Sequence, residues 1–101
     1  MSSPRTLLVV NPAAGAGRAG RVLSRVLEEL KPWGEFEIAV TRAGEDRPAE
    51  RIVREAVADG VTRIAVLGGD GTASQALNGL RQADGSIAAV QLGLIPAGTG
   101  R

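Results

Sequence analysis

Cysteine, histidine and tyrosine are absent from the 101 residues, and the aromatic side chains are limited to Trp33 and Phe36. Without cysteine there is no disulfide, no thiolate metal site and no cysteine nucleophile. Without histidine there is no Ser-His-Asp triad and no imidazole ligand for a metal. Two aromatic rings do not build a stacking platform for bases. Lysine occurs once, at Lys31, and no G-x-x-x-x-G-K-[ST] segment exists, which excludes a P-loop. No run approaches the ~20 apolar residues that cross a bilayer, and Leu7-Leu8-Val9-Val10 is too short for the core of a signal peptide. Twelve basic and 11 acidic side chains leave a net charge of +1, with no electrostatic reason for a nucleic-acid partner. The default expectation is a cytoplasmic protein.

What is present is one small domain's worth of chain. The composition, 44% hydrophobic and 23% charged, is that of a globular protein and not of a disordered one. A domain of this size buries only roughly 60–65% of its unfolded surface, so its stability margin is thin. The informative deviation is glycine. Most of the 14 glycines gather in segments 15–20, 68–71 and 93–100, after apolar runs. Glycines placed so mark loops where backbone approaches a ligand closely.

Leu7-Leu8-Val9-Val10 reads as a buried strand, ended by Asn11-Pro12. Apolar residues at 19, 22, 23, 26, 27 and 30 mark one face of a helix, stopped by Pro32 and Gly34. Phe36–Val40 is a second strand ending at Thr41. Ala49, Ile52, Val53, Ala56 and Val57 define a second helix, closed at Gly60. Ile64–Leu67 is a third strand. A third helix begins near Thr72, carried by Ala73, Ala76, Leu77 and Leu80. The stretch from Ile87 to Ile95 reads as a fourth, bent strand. Strands apolar on both faces and separated by amphipathic helices predict an α/β fold. It is a parallel sheet of about four strands with helices on both faces, a Rossmann-like three-layer arrangement. Ligands of such sheets bind beyond the carboxyl ends of the strands, where all the glycine-rich segments should converge. No helix follows the fourth strand, so the reading predicts the first part of a longer protein; a complete small domain is the alternative.

Gly68-Gly69-Asp70-Gly71-Thr72 is the most specific local signal. Its glycines expose backbone N–H groups, and the following helix aims its positive end at the same place, which favours phosphate. A carboxylate beside phosphates makes sense where a divalent cation bridges them, or where Asp70 orients or deprotonates an attacking hydroxyl. The plain alternative is a tight turn with Asp70 as a helix N-cap. In Asn11-Pro12-Ala13-Ala14-Gly15, the Asn11 amide can bond a ribose, a phosphate or a neighbouring loop, or simply close an Asx-turn. Segment 15–20 also fits G-x-G-x-x-G. It comes five residues after Val10, however, and no acidic residue ends the second strand, so a dinucleotide fingerprint is disfavoured. Pro96-Ala97-Gly98-Thr99-Gly100 offers further backbone donors and the Thr99 hydroxyl. Arg18, Arg21 and Arg25 line one side of the first helix, a solvated face from which Arg18 is best placed to meet phosphate.

In order and spacing, Asn11-Pro12-x-x-Gly15, Gly68-Gly69-Asp70-Gly71-Thr72 and Pro96-x-Gly98-Thr99-Gly100 resemble the N-terminal nucleotide-binding domain of the diacylglycerol kinase catalytic family. That family includes bacterial lipid kinases, ceramide kinases and sphingosine kinases. The resemblance implies that residues 1–101 are the ATP-binding α/β half of a two-domain kinase. Its β-rich substrate domain would be absent from this chain, and the chain alone inactive. It implies transfer of the γ-phosphate of ATP, with Mg²⁺, to a lipid hydroxyl in phospholipid metabolism. Asp70 would be catalytic and, through Mg-ATP, a metal ligand. Asn11, Pro12, Gly15, Arg18, Thr41, Gly68, Gly69, Asp70, Gly71, Thr72, Ser74, Gly98 and Thr99 would contact ATP. The partners implied are nucleotide and a diacylglycerol-like or sphingoid lipid, with peripheral contact at the inner membrane surface; self-association is a further expectation. The chain departs from the family where Ala73-Ser74-Gln75 replaces the common Leu-Asn-Glu, and where Arg101 stands for asparagine after Gly100. An NAD kinase-like domain and a non-catalytic nucleotide-binding module are the alternative readings.

Overall fold

Alternation along two central strands decides the architecture. β1 (Thr6–Val10) and β3 (Arg63–Gly68) lie side by side in parallel, and every residue of β1 is buried. Leu7 and Val9 of β1 share one face with Ile64 and Val66 of β3, and Leu8 and Val10 share the other with Ala65 and Leu67. Successive side chains of a strand point to opposite faces, so a strand with two apolar faces needs cover on both sides. The computed structural model describes residues 5–14 and 17–96.

From β1 the chain runs through α1 (Arg18–Leu30) and a single 3₁₀ turn (Lys31–Trp33) to β2 (Glu37–Val40). It returns through α2 (Pro48–Ala58) to β3, and continues through α3 (Asp70–Gly79) to β4 (Gln91–Pro96). The spatial order is β2-β1-β3-β4, and all neighbours are parallel. Leaving β1 in one direction and returning in the other places right-handed crossovers on opposite faces. Ala19, Val26 and Leu30 of α1 accordingly pack on Leu8, Val10 and Leu67. Ala49 and Val53 of α2, with Ala76 of α3, pack on Leu7, Val9, Ile64 and Val66. The predicted three-layer α/β fold is the observed one.

Burying one leucine or valine side chain is worth about 1.5–3 kcal/mol. The ion pairs of α2, Arg51 with Glu45 at 2.6 Å and Arg54 with Glu50 at 3.1 Å, join half-exposed guanidinium groups. Such pairs contribute about 0.2–1 kcal/mol each. The two apolar layers therefore hold the sheet, and the charges decorate it.

Two boundaries differ from expectation. The third helix begins at Asp70, not near Thr72, because Gly69 takes an extended conformation as its N-cap and its carbonyl accepts from the Ala73 N–H at 3.0 Å. The fourth strand begins at Gln91, not Ile87. Asp84 and Ser86 close a turn in which the Ser86 N–H and Oγ donate to the Asp84 carboxylate at 2.9 and 2.6 Å. These bonds hold the Asp84 carboxyl below its ordinary pKa. Ile87 then makes a lone antiparallel bridge to Arg81, while Ala88 and Val90 pack against the α2/α3 core. Ala88 and Val90 are apolar where they meet that core, whereas Ile87 and Ala89 are exposed, and the four lie outside the strand.

The α2/α3 contact requires glycine at position 79. A Cβ there would lie 2.7 Å from the Glu50 carbonyl oxygen and 2.8 Å from the Val53 Cβ. Gly79→Val should force the helices apart and cost about 1–3 kcal/mol of stability in urea unfolding. An unchanged midpoint would show that the helices yield without cost.

Candidate functional site

The strand order reverses between β1 and β3, and the crevice of a parallel sheet opens at that switch point, beyond the carboxyl ends. Asn11 leaves β1 there with its N–H donating to the Leu67 carbonyl at 3.0 Å, and Thr41 leaves β2 with its N–H donating to the Val10 carbonyl at 2.8 Å. Pro96, the last residue of β4, lies level with Gly68. Four strand ends thus reach one edge.

Two side chains lock that edge. The Asn11 Nδ2 donates to the Thr72 Oγ1 at 3.0 Å, across 61 residues of sequence, and its Oδ1 accepts from the Ala13 N–H at 3.2 Å. Asn11 therefore closes an Asx-turn and also ties the β1 loop to α3. Thr72 is buried. It reaches Asn11 because Gly68 is bare: a Cβ on Gly68 would stand 2.8 Å from both Cβ and Oγ1 of Thr72. Gly69 and Gly71 differ, since a Cβ on either would meet nothing within 4 Å. Their bareness leaves space above the turn.

A concavity of about 270 Å³ opens at the switch point. It is lined by Asn11 and Pro12 from the β1 loop, Thr41 from the end of β2, Thr72 and Gln75 of α3, and Ala49 in the first turn of α2. A larger groove of about 1030 Å³ runs along β2 and α2. Most of its charged side chains are already paired, Arg5 with Glu37 and Asp59, and Arg51 with Glu45 and Glu55. These carboxylates raise the pKa of both guanidinium groups. The smaller concavity at the strand ends is the better site.

Asp70 is the first residue of α3 and exposed. It is not the helix cap, a place taken by Gly69, and α3 has no side-chain cap. Its carboxylate has no hydrogen-bond or ion-pair partner among the described residues. The first-turn N–H groups of a helix have no intrahelical acceptor, so Asp70, Gly71 and Thr72 present backbone donors beside a free carboxylate.

Of the residues singled out from sequence, the structure gathers Asn11, Pro12, Thr41 and Thr72 in the concavity, with Gly68, Gly69, Asp70 and Gly71 on the adjoining turn. Arg18 opens α1 and Ser74 lies on α3, both exposed and neither lining the concavity. Gly15, Gly98 and Thr99 lie outside the described residues. Sequence reasoning missed the bond from the Ala49 N–H to the Gln75 Oε1, 3.0 Å long. Its signal was the start of α2, Arg47-Pro48-Ala49, which offers no Ser, Thr, Asn or Asp at the cap position.

The sequence profile of the diacylglycerol kinase catalytic domain matches residues 5–101. The chain belongs to that family. A diacylglycerol kinase of Mycobacterium tuberculosis is 35% identical over 92 residues, which are 91% of this chain and 28% of that one. The sphingoid long-chain bases kinase 1 of Arabidopsis thaliana is 32% identical over 104 residues, covering 97% of this chain and 13% of its own. A crystal structure of a diacylglycerol kinase from Bacillus anthracis superposes with a TM-score of 0.76 at 34% identity, over 98% of this chain and 35% of that one. The chain thus spans about a third or less of the length of these lipid kinases, over their N-terminal part. Membership favours the lipid-kinase resemblance over the NAD-kinase alternative. No helix among the described residues is long and apolar enough to cross a membrane.

In this diacylglycerol kinase-type domain the Asn11–Thr72 tie depends on Gly68. Gly68→Ala should push Thr72 away, break the tie and cost about 1–3 kcal/mol. Thr72→Val, which removes the acceptor at nearly constant volume, should cost about 0.5–1.5 kcal/mol. Both losses are read from denaturant midpoints. If the two together cost as much as Gly68→Ala alone, they act through one contact.

Proposed function

We propose that this chain is the nucleotide-binding domain of an ATP-dependent lipid kinase, and that the concavity at the β1/β3 switch point receives ATP. The observation that carries the reading is the Asp70 carboxylate at the start of α3, without a partner among the described residues and beside two glycines with open space above them. Backbone N–H donors at a helix N-terminus suit phosphate oxygens. Asn11 and Thr41, at the ends of β1 and β2, wall the part of the crevice that remains for the nucleoside.

The donor set fits magnesium only as a companion of the nucleotide. No group of three or more acidic, histidine or cysteine side chains that could hold a metal exists among the described residues. One carboxylate with phosphate oxygens and water makes a magnesium site of the kind common in phosphoryl transfer. A cation there would neutralise charge on the phosphates. Phosphoryl transfer needs positioning and charge compensation more than covalent chemistry. The amides of the Gly69–Thr72 turn orient the phosphates, and the Asp70 carboxylate holds the cation or takes the proton of the acceptor hydroxyl.

The lipid acceptor is a diacylglycerol-like or sphingoid alcohol, in keeping with the names of the relatives. Its pocket belongs to the part of those longer kinases that this chain does not cover. The chain by itself therefore binds nucleotide without turning over lipid.

Calorimetric titration of the 101-residue chain with ATP and magnesium should give saturable heat. Gly69→Ala and Gly71→Ala should keep the unfolding midpoint near that of the parent and weaken ATP, because their methyl groups enter the ligand's space. Absence of heat from a folded chain would refute the reading. In a kinase of the relatives' length carrying this domain, Asp70→Asn should lower kcat by about 10²–10⁴-fold with the fold intact. A role as cation ligand predicts, in addition, a raised magnesium requirement for residual turnover; a role as proton acceptor leaves that requirement unchanged.

A further inference from the structure

Among the described residues, the charged side chains that line the concavity are those of Arg42 and Glu45, and the fold treats them differently. A tight turn joins the two. The Arg42 carbonyl accepts the Glu45 N–H at 3.3 Å, and Gly44 supplies the left-handed φ of 88° at its third position. The Glu45 carboxylate accepts from the Arg51 Nε of α2 at 2.6 Å. Arg42 is exposed, and its guanidinium has no hydrogen-bond or ion-pair partner among the described residues. The carboxylate nearest to Arg42 in sequence is thus engaged by α2, and the cation stays available on the wall of the pocket.

Its place in the sheet says which part of a ligand it meets. Arg42 follows Thr41 beyond the carboxyl end of β2, two strands away from β3 in the order β2-β1-β3. Neighbouring strands lie about 4.8 Å apart, so the end of β2 stands about 10 Å from the end of β3, where the Gly69–Thr72 turn begins. The concavity joins the two places, with Thr72 on one side and Thr41 and Arg42 on the other. A nucleoside triphosphate whose phosphates meet the turn therefore brings its ribose and base toward β2. No aromatic residue is among the described residues that line the concavity, and Phe36 packs in the α1 layer instead. The Arg42 guanidinium is the flat cationic group on that wall. Arginine adds planar stacking to the cation–π attraction, which a lysine ammonium cannot do.

We propose that Arg42 is a specificity-determining residue of this pocket: its guanidinium lies against the face of the base and favours a purine nucleotide over a pyrimidine one. The role rests on the nucleotide reading given above and adds to it the part of the ligand that β2 reads. Glu45, held by Arg51, does not compete for the guanidinium.

The test titrates the 101-residue chain, Arg42→Ala and Arg42→Lys with ATP, CTP and base-free tripolyphosphate, each with magnesium. Both variants should keep the unfolding midpoint of the parent, since the side chain is exposed and backbone closes the turn. Arg42→Ala should weaken ATP by about two- to thirtyfold, the range of one cation–π contact. The loss should be smaller for CTP and absent for tripolyphosphate. Arg42→Lys, which keeps the charge without the plane, should recover only part of the ATP affinity. An ATP-over-CTP preference unchanged in Arg42→Ala overturns the proposal and leaves the nucleotide reading standing. Equal losses for ATP and tripolyphosphate also overturn it, because they put Arg42 on the phosphates. A folded parent chain that binds no ATP overturns the proposal and the nucleotide reading together.

Discussion

The site depends on how closely α3 approaches the end of β3. Gly68 is the last residue of β3 and is buried, and Thr72 packs where a side chain on Gly68 would have to be. That approach lets the Thr72 hydroxyl lie at the head of the sheet and accept from Asn11. The β1 loop is then held against α3, and the turn between them keeps its amides on one side. Remove the approach and the strand ends remain level, because the ladder fixes them, but the loops above them lose their mutual register. The ladder supplies position along the sheet, and the Gly68–Thr72–Asn11 chain supplies position above it.

Glycine thus serves two purposes within four residues. At 68 the missing side chain makes room for Thr72, while at 69 and 71 a Cβ would meet nothing within 4 Å. The distinction separates stability from binding. A domain that buries so limited a share of its surface has little stability to spare, and Gly69 and Gly71 stand where a methyl group would disturb no packing. The apolar layers on either side of β1 and β3 carry the fold, and the binding rim sits beyond them.

Much of this was legible in the sequence, for identifiable reasons. Buried parallel strands are apolar on both faces, so Leu7–Val10 and Ile64–Leu67 announced themselves, and the helical spacing of residues 19–30 and 49–57 left little ambiguity. The Gly-Gly-Asp-Gly-Thr turn was legible because few structural purposes require three glycines around a carboxylate. What was not legible was tertiary. Ile87–Val90 has the apolarity of a strand, yet only Ala88 and Val90 pack against the core and Ile87 is exposed, so apolarity alone does not report a place in the sheet. The start of α3 moved to Asp70 because Gly69 supplies the cap with its backbone, which no side-chain rule detects. The Gln75–Ala49 bond links residues 26 positions apart; the uncapped start of α2 signals a missing acceptor without naming Gln75. In the sequence Gln75 is only a departure from the family's common Glu; in the fold it ties α3 to the start of α2.

The arrangement of charge at the rim follows from the same geometry. A polyanion held by amides alone faces no competing charge, but a single carboxylate among those amides would repel it unless that carboxylate had other work. Among the described residues Asp70 has none: it neither caps α3 nor pairs with an arginine. A free carboxylate at the positive end of a helix is tolerable to the fold, because the helix dipole stabilises it. It is useful to a phosphate site only when a cation or a transferable proton lies between the two.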